Sequence, residues 1–299
     1  MRIGFLGLGQ MGAAIAANLL GGNEVAVWNR SAAKAHPLVA AGATLAATPR
    51  EAARGRTVVL TMLADDAALE AVVNDESGLI AGLDEGALHI SMSTISVACA
   101  ERLTGQHRAH GQRFLCAPVF GRPDAAAARR LFIVAAGEPA DIGIADPLFG
   151  AMGQRTFIVG SKPSAANLVK LCGNFMIMAV IESLAEAMTL ADKGGVPKAQ
   201  LLEVLTGSLF DAPIYRNYGA ALAGARFRPA GFAAPLGLKD MRLVGQSAET
   251  LRVPMPLLGI LRDHLLQTLA LEGDDIDWSG IGLSIARNAG LGGGAGKSG

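Results

Sequence analysis

Arg2–Leu20, RIGFLGLGQMGAAIAANLL, is the stretch from which the fold follows. Arg2 to Leu6 is a short apolar run suited to a buried strand, and AAIAANLL has the composition of a helix. Between them Gly7-Leu8-Gly9-Gln10-Met11-Gly12 has the spacing GxGxxG. The first glycine allows a tight turn and the second lets backbone approach a pyrophosphate. The third lets the helix pack close to the sheet, with its first N–H groups facing the anion. A Gly-rich turn alone is weak evidence. Set between a strand and a helix, with a second strand following, these six residues read as a dinucleotide-binding loop.

That second strand is Glu24-Val25-Ala26-Val27-Trp28, and it ends in Asn29-Arg30-Ser31. A carboxylate about 20 residues past the glycines would hold the ribose 2′-OH of NAD. None stands there. Asn29 can donate and accept, Arg30 can pair with a phosphate or stack on adenine, and Ser31 adds a hydroxyl. The exchange favours a 2′-phosphate, hence NADP(H). Thr57 to Leu63 and Ala87 to Met92 read as further buried parallel strands ending in the loops TMLADD and SMSTIS. Ligands of an open parallel sheet lie beyond the carboxyl ends of its strands. Met62, Leu63, Ser93 and Thr94 are therefore expected at the nicotinamide end. Strands are also expected at Arg113 to Leu115, Leu131 to Ala136 and Thr156 to Val159. The loop 118–123, with Phe120, Gly121 and Arg122, is expected at the substrate; Arg122 reads equally as an anion contact and as a solvated loop charge.

Outward from this half, composition narrows the function. The 299 residues suggest two domains, and 26 basic residues balance 26 acidic ones. No basic stripe speaks for nucleic acid or an anionic membrane as partner. Met1 to Phe5 leads straight into a strand, so no targeting segment is expected and a cytoplasmic location is. Cys99, Cys116 and Cys172 read as free thiols, no metal-ligand spacing is visible, and His107 and His110 read as a solvated helix face.

Ser164–Lys193 holds no proline and one internal glycine, so it reads as one long helix. Its apolar residues fall on nearly every side, which predicts an internal helix. The unbroken run Phe175 to Ile181 is far shorter than the ~18 residues of a membrane span. Lys170 and Asn174 stand four apart on one face. An ammonium there either reaches for solvent or is held for chemistry.

LGLGQMG, AANL, WNRS, TML, STIS, CAPVFG, KLCGN and LKDM occur in the order and spacing of the β-hydroxyacid dehydrogenases, and the chain resembles that family to about Ser279. The resemblance implies an α/β Rossmann-type N-terminal domain and an all-α C-terminal domain joined by a long interdomain helix, in a homodimer or homotetramer. The expected segments are 1–162, then 163–289 including the helix 164–193, then a flexible tail 290–299. By resemblance Lys170 is the catalytic acid/base, Asn174 binds substrate, Thr94 and Lys239 contact the cofactor, and 118–123 cradles a carboxylate. The NRS triplet resembles the NADPH-using branch, which reduces glyoxylate and succinic semialdehyde. One departure matters: the family's APVSGG is here APVFGR, with Phe120-Gly121-Arg122.

After Gly194-Gly195-Val196-Pro197 helices are expected at Lys198 to Thr206, Tyr215 to Leu222, Leu238 to Arg252 and Pro256 to Leu271. Lys239-Asp240 taken alone is an ordinary surface charge pair, and Asp211, Tyr215 and Tyr218 are weaker lining candidates. The activity implied is NADPH-dependent reduction of a small aldehyde or keto acid, reversible as alcohol oxidation, with a small carbonyl compound as substrate. Two rivals are an NADPH-dependent imine reductase, for which Lys170 is dispensable, and a catalytically silent NADP-binding protein.

Overall fold

The computed structural model describes residues 1–291. The expected tail lies outside the described residues from 292 onward. The chain divides into two compact units, Met1–Lys170 and the part from Leu171 onward.

The first unit holds β1 (Arg2–Leu6), β2 (Glu24–Trp28), β3 (Thr44–Leu45), β4 (Val58–Thr61), β5 (Leu88–Ser91) and β6 (Arg113–Cys116). They form one sheet in the order β3-β2-β1-β4-β5-β6, every pair parallel. Strands β4 and β5 are buried throughout, as their apolar runs predict. The later strands lie near their expected places but outside this sheet. β7 (Val119–Phe120), β8 (Leu131–Ala135) and β9 (Gly153–Ile158) make a separate three-stranded sheet, β7-β8-β9, with β7 antiparallel to β8. Only Ala117 and Pro118 separate β6 from β7, and a parallel return to the first sheet needs a crossover of about a dozen residues. The chain therefore turns away, leaving a bridge between Cys116 and Ala136.

Behind the ends of β4 and β5 lies a buried polar chain that the sequence reading missed. His107 was expected on a solvated face; it is fully buried, and only His110 is exposed. Gln112 Nε2 donates to the Ile80 and Leu83 carbonyls, so its Oε1 must accept from His107 Nδ1–H at 2.9 Å. His107 Nε2 then accepts from His89 Nδ1–H at 2.9 Å, and His89 Nε2 from the Thr61 hydroxyl at 2.9 Å. Both rings are thereby held neutral, with Phe114 stacked on His107. Burial, and secondarily His107, pushes His89 well below the usual imidazole range. Burial likewise pulls His107 down to about 4, against the opposing Gln112 bond.

The sign of the linkage follows. The unfolded chain protonates these rings near 6.5 and the native chain does not, so stability is complete above about pH 6.5 and declines as the pH drops toward 4. For His107 the decline amounts to about 3 kcal/mol by pH 4. In His107→Gln the new amide can donate to Gln112 and accept from His89. Urea unfolding of this variant between pH 7 and 4 is expected to show a flatter acid limb than wild type. An identical limb would remove the histidine chain as its cause.

In the second unit the helices Lys198–Thr206, Pro213–Ala223, Ala234–Leu251 and Pro256–Glu272 appear where the sequence places them. A 3-10 turn, Trp278–Gly280, and a helix, Ile281–Asn288, were not anticipated. Glycines weaken the helical signal there, yet packing requires them. A Cβ on Gly280 would lie 2.4 Å from Ile276, and one on Gly282 would lie 2.6 Å from Leu222. Trp278 centres this unit, packed on Phe232 and donating to the Tyr218 hydroxyl at 3.0 Å. Tyr218 is thus a core residue, and Asp211 is in an exposed ion pair with Arg216.

The helix Ser164–Lys193 is continuous. It is not covered on all sides as its composition predicts: Val169, Met176, Ser183 and Leu190, spaced at seven, are exposed, Leu190 to 76%. Among the described residues it is the one helix long and apolar enough to cross a membrane by length and composition, and half of that window is buried in protein. Its buried polar residues meet protein groups: Asn167 the Ile95 N–H, Asn174 Asp240, and Glu182 His264.

Candidate functional site

Each glycine of the first loop has a separate reason. Gly7 has φ +97°, and a Cβ there would lie 2.3 Å from the Met62 carbonyl oxygen. A Cβ on Gly12 would meet the Gly7 carbonyl oxygen at 2.0 Å, so the helix Gln10–Leu19 can approach the turn only with glycine at that place. On Gly9 it would meet nothing within 4 Å. That open flank, beside the first turn of a ten-residue helix, fits a pyrophosphate held by backbone N–H groups. Gly9 and Gln10 are exposed, Met11 is half-buried, and Leu8 is buried.

Parallel pairing brings the loops after β1, β2, β4 and β5 to one edge of the sheet. Asn29, expected to touch the cofactor, is engaged with the chain: its Oδ1 accepts the Leu8 N–H at 2.9 Å and its Nδ2 donates to the Ser31 carbonyl at 3.0 Å. It shapes the glycine loop. Arg30 and Ser31 are exposed at the end of β2, and the 3-10 turn Ala32–Ala35 places a further exposed cation, Lys34, beside them. Lys34 was not singled out from sequence, although its place three residues past Ser31 was a usable signal.

Ser93, expected at the substrate, is fully buried, and its hydroxyl accepts the Leu63 N–H at 2.8 Å. Its role is to tie the loop after β4 to the loop after β5. Met62, Leu63 and Thr94 are half-buried beside it. One residue past Thr94, the Ile95 N–H donates to Asn167 Oδ1 at 3.2 Å, pinning the first turn of the long helix to this edge. Asn167 was unnoticed from sequence because a helix-start Asn has many uses. Lys170 follows it by three positions and so shares its face. Lys170 is 8% exposed, and its Nζ lies 4.0 Å from the centroid of the Phe120 ring. Buried ammonium groups are costly unless stabilised, so this is not a snorkelling surface lysine.

In the second unit Asn174, 2% exposed, donates from Nδ2 to Asp240 Oδ2 at 2.5 Å. Asp240, 1% exposed, also faces Lys239 Nζ at 2.9 Å. The pair read as surface charges is thus a buried carboxylate carrying a cation on one side and a carboxamide on the other. Asp240 fixes which way the Asn174 amide points, with Oδ1 left as its acceptor.

Residues 2–160 match the profile of the NAD-binding domain of 6-phosphogluconate dehydrogenase. Residues 164–282 match that described as NAD-binding of NADP-dependent 3-hydroxyisobutyrate dehydrogenase. An uncharacterised oxidoreductase of Bacillus subtilis, YfjR, is 42% identical over 94% of this chain and 98% of its own. Glyoxylate/succinic semialdehyde reductase 1 of Arabidopsis thaliana is 32% identical over 94% of this chain and 97% of its own. Among solved structures, 3-hydroxyisobutyrate dehydrogenase of Mycobacterium tuberculosis with L-serine superposes with a TM-score of 0.86 at 28% identity, covering 95% of this chain and 98% of that one. With a glycine loop, a pinned long helix and profile matches to both halves, the chain belongs to the β-hydroxyacid dehydrogenase family, NAD(P)-binding oxidoreductases of the 3-hydroxyisobutyrate dehydrogenase type.

Proposed function

We propose that the chain is an NADPH-dependent reductase of small aldehydes or keto acids, running reversibly as an alcohol dehydrogenase, with Lys170 as general acid and base. The observation that carries this reading is a single lysine, 8% exposed, on the helix turn that is pinned to the loop after β5. Bound NADPH would supply the hydride to the carbonyl carbon. The Gly7–Gly12 loop would hold its pyrophosphate, and Arg30, Ser31 and Lys34 its 2′-phosphate.

Lys170 Nζ gives a proton to the carbonyl oxygen as the carbonyl carbon is reduced, and takes one back in the oxidative direction. Asn174, one helical turn on, would donate its second Nδ2–H to the substrate oxygen while Asp240 accepts the first. Residues Met62, Leu63 and Thr94 would line the nicotinamide end, and Lys239, with Asp240 as its counter-ion, is a cofactor contact only by the family resemblance. Consumption of NADPH across a panel of aldehydes, 2- and 3-keto acids and cyclic imines tests the reading. Turnover of imines alone would replace it with imine reduction, and turnover of nothing would leave a nucleotide-binding protein.

The preference for NADPH rests on Arg30 in place of a carboxylate. Arg30→Ala is expected to raise the KM for NADPH ~10-fold, the size of one lost charge-assisted hydrogen bond, and to leave the KM for NADH unchanged. A wild-type enzyme that favours NADH would contradict the assignment. We also infer a homodimer or homotetramer, supported by the exposed stripe Val169, Met176, Ser183 and Leu190 on the long helix. Sedimentation as a monomer at micromolar concentration would count against it.

A further inference from the structure

We infer that Phe120 decides which carbonyl compounds this chain accepts, and that it selects small aldehydes and ketones bearing no carboxylate. The inference rests on the reductase reading and narrows its substrate class. The ring lies 4.0 Å from Lys170 Nζ, face toward the ammonium. An aromatic face carries the negative part of the ring quadrupole, so it attracts the cation without offering any hydrogen-bond group. With the carbonyl oxygen at Lys170, a carboxylate elsewhere on the substrate that comes against this ring has to shed water at an apolar, electron-rich face, and it then needs donors for its lone pairs.

The surroundings of Phe120 supply few such donors. Its backbone belongs to the β7–β8 ladder, opposite Phe132. Its side chain packs on an apolar cluster that includes Ile95 and Ala166. The wall is also held in place: Gly121 has φ +143°, and a Cβ there would lie 2.6 Å from Leu131 Cδ2, so the backbone after the ring has one path. A neutral carbonyl compound loses nothing at this surface, because its alkyl part meets the ring edge while its oxygen takes the Lys170 proton.

The test uses the full chain loaded with NADP+ or NADPH. For wild type, kcat/KM for butanal is expected to exceed that for succinic semialdehyde at least ~10-fold. Phe120→Ser opens the ammonium and adds a hydroxyl, and is expected to shift that ratio at least ~10-fold toward the carboxylate, mainly through KM. Phe120→Leu keeps the apolar volume and serves where the serine variant folds poorly; losing the ring face alone, it is expected to narrow the discrimination about threefold. An equal or reversed preference in wild type, or a ratio unchanged in both variants, overturns the inference. Calorimetry with unreactive butyramide and butyrate separates it from the reductase reading. Tighter binding of butyramide to wild type and of butyrate to Phe120→Ser supports the role of Phe120 even if neither aldehyde is reduced, and that result would sink the reductase reading alone. The opposite order of binding sinks the role of Phe120.

Discussion

Lys170→Ala is expected to lower turnover at least ~100-fold, the usual scale of acid–base catalysis, with the dissociation constant for NADPH nearly unchanged. The split follows from where the groups lie. The glycine loop and Arg30 belong to the loops after β1 and β2, whereas Lys170 is tied through its helix face to the loop after β5 and to Phe120. Removing the amine leaves a small void against Phe120, and thermal unfolding of the variant checks that the fold survives. Steady-state reduction and fluorescence titration with NADPH, run on the same preparation, read the two halves of the expectation. Undiminished turnover would rule out the acid/base role, and lost NADPH binding would place Lys170 in the cofactor site.

The second large effect separates two glycines of one motif. Gly12→Ala places a methyl 2.0 Å from the Gly7 carbonyl oxygen, backbone against backbone, with no flexible side chain to yield. It is expected to destabilise the first unit by about 1–3 kcal/mol, the scale of overpacking, and to weaken NADPH binding as the helix moves off the turn. Gly9→Ala meets nothing within 4 Å in the protein. Its unfolding midpoint is therefore expected to match wild type, while the methyl occupies the flank assigned to the pyrophosphate and raises the NADPH dissociation constant at least ~10-fold. Thermal unfolding and NADPH titration of both variants give the comparison. Unchanged affinity in Gly9→Ala would move the pyrophosphate elsewhere.

Much of this was legible in the residues, and the misses share a cause. Local signals carried β1, β2, β4, β5 and β6 of the parallel sheet, the long helix, and four helices of the second unit, because strand and helix periods and glycine spacing are properties of neighbouring residues; the two-residue β3 was missed. The second sheet was not legible at β7, where a two-residue connection leaves no room for a crossover. The helix Ile281–Asn288 was hidden by glycines whose need comes from Leu222 and Ile276. His107 looked like a surface residue, since nothing beside it in the chain announces Gln112 and His89 as its partners.

Taken by itself, the chain determined the class of fold, the dinucleotide loop and the lysine–asparagine pair on one helix face, for these depend on spacing along the backbone. Tertiary structure alone decided which polar groups are buried and what each one faces. It buried Asp240 against Asn174, 66 positions away. It gave Ser93 and Asn29 a bracing contact each, to the loops after β4 and β1. And it set the ring of Phe120 against the ammonium of Lys170. The free energy of a charge or a hydroxyl depends on what surrounds it in space, and packing distant segments together is what creates those surroundings.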